Sequence, residues 1–205
     1  MKVALFFILS LMAVSADPNI SQKIRNDKLT AYDVVLQPGE AASSGRPSVL
    51  VFFQAGSFEI TPIGKPPEKV VVVRGETRFF EDNVWTIRNE GAAELHYALV
   101  LFVCPASQET WGKQGLAPNY TLLVENAYTR AYSIRIPAHT DEPQHTHHDR
   151  VVICLSGATL EHVYSDGRKE PSTLTTGEVT WRRGGTHIGQ NLGYTDLWVV
   201  AVEPK

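Results

Sequence analysis

Along most of the chain, apolar residues recur at every second position or in short unbroken runs, and both patterns predict β-strands. "AYSIRIP" (131–137) alternates, so every other side chain faces a core. "RVVICLSG" (150–157) is a continuous apolar run after its first residue, as expected of a strand covered on both faces. "TLEHVYSDGRKEPSTLTT" (159–176) reads as a strand, a turn at Asp166-Gly167 and a second strand, and "LWVVAVE" (197–203) reads as another. Gly, Pro, Asn and Asp separate such runs at roughly 8–12 residues, the spacing of all-β barrels and sandwiches. No helical period of useful length appears beyond the N-terminal leader.

The strand pattern occurs twice. "NDKLTAYDVVLQPGE" (26–40) lies on "NAYTRAYSIRIPAHT" (126–140), with Asn26 over Asn126, Ala31 over Ala131 and Tyr32 over Tyr132. After a one-residue slip Gly56 lies over Gly157. After a second slip Gly75, Glu76, Asn89 and Leu95 lie over Gly177, Glu178, Asn191 and Leu197. Matches that stay collinear over so long a stretch mean two copies of one domain, not an array of short repeats. The turn-rich stretch "CPASQETWGKQGLAPN" (104–119) joins them. The fold class expected is all-β, two tandem antiparallel barrels or jelly rolls, with a first unit at 17–110 and a second at 111–205.

Residues 1–16 read as a secretory signal peptide. One lysine precedes the apolar run Val3–Val14, and Val14 and Ala16 are small residues at cleavage spacing. The run is shorter than the roughly 20 residues that cross a bilayer, so no stable span is expected after cleavage. Export to the periplasm or beyond follows. Export permits a disulfide, but sequence leaves a bridge between Cys104 and Cys154 open. The 205 residues are 43% hydrophobic and 20% charged, with a formal net charge of -3. That balance gives no basic footprint for nucleic acid.

The candidate chemistry lies in "PQHTHHDRVVICLSG" (143–157), which carries three of the seven histidines. On a strand, positions i and i+2 share a face, so His145 and His147 aim at one point. His187 follows "TGEVTWRRGG" (176–185) on a segment that an antiparallel barrel brings alongside. Three imidazoles converging from two strands make a site for one divalent metal ion, whether Fe, Mn, Zn, Ni or Cu, with positions left for water or substrate. His148 points to the opposite face, His139 and His96 read as ordinary, and His162 and Tyr164 either line the cavity or face water.

"HTHHDRVVICLSG" and "GEVTWRRGGTHIGQN", taken together and in this order, resemble the two sequence motifs of the cupin superfamily. The likeness covers about residues 120–205 directly, and the internal repeat extends it to a bicupin. The resemblance implies small jelly-roll barrels and a metal held by His145, His147 and His187. It departs from the family at two points. The usual Glu ligand is absent: counting back from Gly157 places Arg150 there, and counting by strand parity places Val151. Either three histidines suffice, or Asp149 or Glu161 supplies a ligand. Arg183 replaces the proline of the second motif. Asn191 and Glu178 are structural candidates near the site.

In the first copy the matching positions are Ser44, Arg46 and Trp85, which form no metal set. Trp85 with Phe52, Phe53, Phe79 and Phe80 suggests an aromatic interior instead. Three readings fit the whole: a metal-dependent enzyme of dioxygenase, isomerase or hydrolase type, dioxygenase-like or Lewis-acid in chemistry, acting on a small organic acid or thiol; a noncatalytic periplasmic protein that binds a small ligand or metal; and a structural module with a vestigial site. A carboxylate clamp among Arg150, Arg182 and Arg183 is open. The expected partners are a small-molecule ligand and, at most, a second copy as a homodimer.

Overall fold

The computed structural model describes residues 18–81, 84–104 and 106–205, so the leader at 1–16 lies outside it. The first unit runs β1 (Asn19–Arg25), β2 (Leu29–Leu36), β3 (Ala41–Ser44), β4 (Ser48–Phe52), β5 (Gly56–Pro62), β6 (Glu68–Val72), β7 (Thr77–Phe80), β8 (Trp85–Asn89) and β9 (Leu95–Phe102). The second repeats it as β10 (Thr121–Glu125), β11 (Thr129–Ile136), β12 (His145–His147), β13 (Arg150–Ser156), β14 (Ala158–Val163), β15 (Lys169–Leu174), β16 (Val179–Arg182), β17 (Gly185–Asn191) and β18 (Leu197–Pro204).

Each unit is a jelly roll of a five-stranded and a four-stranded sheet. The orders are β1-β2-β9-β4-β7 with β3-β8-β5-β6, then β10-β11-β18-β13-β16 with β12-β17-β14-β15. All pairings are antiparallel. No helix of the described residues is long and apolar enough to cross a membrane.

The alternation along the strands sorts side chains into three cores. In the first unit Leu50, Phe52, Phe58, Trp85 and Tyr97 fill the interior. In the second, Ile134, Val152, Cys154, Leu160 and Val199 do so. The opposite faces of the two five-stranded sheets pack on each other: Val49, Val51, Ala98 and Val100 meet Val151, Ile153, Val200 and Val202. This explains the unbroken apolar run in β13, whose even positions face its own barrel and whose odd positions face the other unit. The same alternation corrects the expected aromatic interior of the first unit. Phe52, Phe80 and Trp85 are there, but Phe53 and Phe79 point to the shared core.

Gly75 shows how closely the units fit. It sits at φ 79, and an added Cβ would stand 2.3 Å from Trp198 of the second unit. The chain changes partner between Cys104, whose N–H donates to Lys28, and Ser107, whose N–H donates to Ala127. Cys104 and Cys154 are both free thiols, the first against the shared core and the second inside the second barrel.

The ladders also refine the repeat. Gly56 pairs with Val72 as Ala158 pairs with Leu174, so Gly56 corresponds to Ala158 and not to Gly157. Leu36 pairs with Leu95 as Ile136 with Leu197, Ser44 with Trp85 as His145 with His187, and Ser48 with Phe80 as Arg150 with Arg182. Both slips therefore fall between Ile136 and Arg150, the stretch that carries the histidine pair.

Two asparagines close the units in the same way. Asn89 donates to Leu36 and Ala93 and accepts from Gly91; Asn191 donates to Ile136 and Thr195 and accepts from Gly193. Glu178 accepts the Thr175 N–H in a turn, as Glu76 accepts that of Val73. Neither Asn191 nor Glu178 touches the histidines; both hold turns. Three hydrogen bonds, one buried and two part-buried, at about 1 kcal/mol each predict that Asn191→Ala, and equally Asn89→Ala, lowers unfolding free energy by about 2–3 kcal/mol, read as a shifted denaturation midpoint.

Candidate metal centre

The site is built where β12 and β17 pair. His145 stands directly opposite His187, and His147 lies two positions along on the same face. All three are buried, and their ligand atoms lie within 4.8 Å of one another. The ring of His187 is centred 4.8 Å from that of His145 and 5.4 Å from that of His147. Gly184 lets the turn before His187 come close, since an added Cβ there would meet the His147 carbonyl at 2.7 Å.

Hydrogen bonds fix two of the imidazoles. His145 Nδ1 is 2.9 Å from the Pro143 carbonyl, which can only accept, so the proton sits on Nδ1 and Nε2 keeps its lone pair. Glu203 forms a fully buried ion pair with Arg130 and accepts the Tyr132 hydroxyl proton at 2.8 Å. Tyr132 is left as the acceptor for His147 Nδ1–H at 2.6 Å, which frees the lone pair of His147 Nε2. The two Nε2 atoms are 2.8 Å apart. Two bare lone pairs at that separation repel unless they share a cation, and converging imidazole nitrogens of this kind suit a divalent ion. The donor set thus fits a metal.

Burial, the first cause, lowers the pKa of all three ligands. His145 is lowered, His147 well below its ordinary value with Arg150 next in effect, and His187 to about 3. His162, centred 4.3 Å from His187, is brought down to about 4, chiefly by burial. It lines the cavity, one of the two positions left open for it. His148 stacks on Trp111 at 4.1 Å outside the site, and His139 packs edge-on to Tyr194.

The carboxylate of the site comes from neither Asp149 nor Glu161. Asp149 accepts the Gly184 N–H in a turn, and Glu161 pairs with Lys169. It is Glu142, which sequence reasoning missed. Its Oε1 lies 3.4 Å from His145 Nε2, and its Oε2 accepts the Tyr120 hydroxyl proton. Tyr120 itself stands 3.2 Å from His145 Nε2. Burial raises Glu142 to about 7, against the Tyr120 hydrogen bond. Gly189 makes room: an added Cβ would lie 2.2 Å from Glu142 Oε1. In the first unit the corresponding pair is Ala42 opposite Ile87. A readable signal was therefore present, a Gly in one copy where the other has Ile.

Arg150 is the second surprise. It stands where the resembled motif has Glu, turns inward and is 6% exposed. A small cavity of about 40 Å³ is bounded by Arg150, Glu142, His147, His162, His187 and apolar strand residues such as Ile134.

No protein-family model matches the chain, and no curated protein matches it. Solved structures do. AerE from Microcystis aeruginosa superposes with a TM-score of 0.70 over 95% of each chain at 10% identity. A cupin 2 conserved barrel domain protein from Leptotrichia buccalis gives 0.61 at 13% identity over 93% of this chain and 90% of that one. An oxalate decarboxylase variant from Bacillus subtilis gives 0.60 at 12% identity over 86% and 69%.

Two outcomes test this geometry. Arg130→Met leaves Glu203 buried and unpaired and lowers stability by about 3–5 kcal/mol, whereas Arg130→Met with Glu203→Leu recovers most of it. The double variant still binds metal at least tenfold more weakly, because Tyr132 and His147 lose their orientation; paired denaturation and metal titrations read both. The second outcome concerns pH in the metal-free protein. Unfolded imidazoles take up protons near 6.5, folded His162 and His187 only near 4 and 3, so their stabilisation is complete above 6.5 and lost as pH falls. Glu142, raised to about 7, acts oppositely between 7 and 4.5. Four lowered imidazoles outnumber it, so thermal midpoints fall from pH 6.5 to 4. The fold those measurements probe, shared with solved cupin barrels, is the cupin fold.

Proposed function

We propose that the protein is an exported bicupin whose second barrel binds one divalent metal ion through His145, His147 and His187. The observation that carries the reading is the 2.8 Å approach of two imidazole nitrogens whose outer nitrogens are already committed as donors. The first barrel is the metal-free partner, with Trp85 at the position of His187.

The activity best supported is metal-dependent enzymology on a small organic acid. A bound divalent ion supplies Lewis acidity, and a redox-active one supplies oxygen chemistry as well. The chain's own groups do the rest. Glu142 and Tyr120 share a proton beside His145, so they can hold or deliver one at the ligand face. Arg150 adds fixed positive charge, and the apolar walls exclude water. The small, walled cavity also favours the noncatalytic reading, in which a ligand is retained without turnover.

Elemental analysis of the purified protein against the His145→Ala/His147→Ala/His187→Ala variant decides the metal. The wild type retains one ion per chain and the variant none, both folded by circular dichroism. Equal metal content in the two would remove the reading.

A further inference from the structure

Arg150 has a donor edge that the protein does not use. Its Nη1 donates to the carbonyls of His148 at 3.3 Å and Arg183 at 3.1 Å. Its Nε is buried with no partner among the described residues. The two carboxylates of this interior are engaged elsewhere: Glu142 with Tyr120 and His145, Glu203 with Arg130, Tyr132 and the His148 N–H. A buried cation with an orphaned donor is costly unless something completes it. The first unit has Ser48 at this register position, so the fold does not require an arginine there.

The Arg150 side chain borders two adjoining spaces. Arg150 borders the 40 Å³ cavity beside His147 and His187, and also a wider opening of about 230 Å³ lined by Arg182, Arg183 and Tyr164. His162, Arg182 and His187 border both, so the two spaces adjoin. Beyond the polar groups the inner walls are Ile134, Ile136, Val152 and Leu160. The Nε–Nη2 side of a guanidinium presents two parallel N–H bonds, which match the two oxygens of a carboxylate. Positive charge at the opening draws anions inward.

We infer that Arg150 is the recognition group for a small aliphatic monocarboxylate, held side-on by Nε and Nη2 between the guanidinium and the three histidines, with its alkyl end against the apolar wall. The inference deepens the metal reading and rests on it only for the second anchor. The fork selects the carboxylate, and the cavity limits the ligand to a few heavy atoms.

The test uses the full chain loaded with Co(II), titrated with sodium acetate at constant ionic strength and followed by its visible bands. Acetate binds saturably. Arg150→Met and Arg150→Gln each keep one Co(II), since removing a positive charge cannot repel the ion, and lose acetate affinity at least tenfold. Benzoate, too large for the cavity, gives no response. Unchanged acetate affinity in both variants would overturn the inference while leaving the metal site standing. A parallel thermal-shift series on metal-free protein separates the two ideas from the other side. Acetate raises the midpoint of the wild type more than equimolar acetamide does, and the variants lose the difference. If the chain binds no Co(II), this series alone decides, and equal effects of acetate and acetamide sink the carboxylate role. It also decides if neither variant folds.

Discussion

The buried contact between Arg130 and Glu203 organises the second barrel. Both side chains are fully inaccessible to solvent, and every acceptor position of Glu203 is used: Oε2 by the guanidinium, Oε1 by the Tyr132 hydroxyl and the His148 N–H. An ion pair out of water is weakly favourable at best, but once formed it tolerates little rearrangement. Here that rigidity reaches outward in two directions. Through Tyr132 it sets the ring of His147. Through Arg130 Nη1 it grips the carbonyls of Gly112 and Gln114, so the segment joining the units is pinned beside the histidine strand. Gly115 then accepts the Thr146 N–H, and Tyr120 closes over His145. A connection between two domains has become one wall of the site.

Comparison of the two copies shows how few replacements separate a scaffold from a candidate catalyst. At matching register positions Thr30 and Leu101 become Arg130 and Glu203, Ala42 and Ile87 become Glu142 and Gly189, Ser48 becomes Arg150, and Ser44 and Trp85 become His145 and His187. The replacements come in facing pairs. A carboxylate enters where a branched side chain leaves, and an acid enters opposite a base. The ladders and the turn-locking asparagines are the same in both.

Much of this was legible in the sequence because strand alternation and duplication are local, additive signals. The repeat located both units, and the register partners of His145 and His187 in the first copy, Ser44 and Trp85, were placed correctly. What could not be read turned on breaks in alternation. Strand parity failed between His147 and Arg150 because the chain turns at His148 and Asp149 before β13 begins, so Arg150 and not Val151 faces inward. Glu142 lies before β12 in a loop with only a single bridge at Asp141, where no period applies. The Gly56 match was one residue off because both insertions precede β13. The misses that concern the site fell in one short stretch, where the backbone departs from regular pairing.

The back-to-back sheets carry a last implication. β13 holds Arg150 on one side and presents Val151, Ile153 and Leu155 to the neighbouring unit on the other. The histidine-bearing half therefore carries an apolar surface that its sibling covers. Separating the halves would strand that surface in water, so the two units hold together as one folded body.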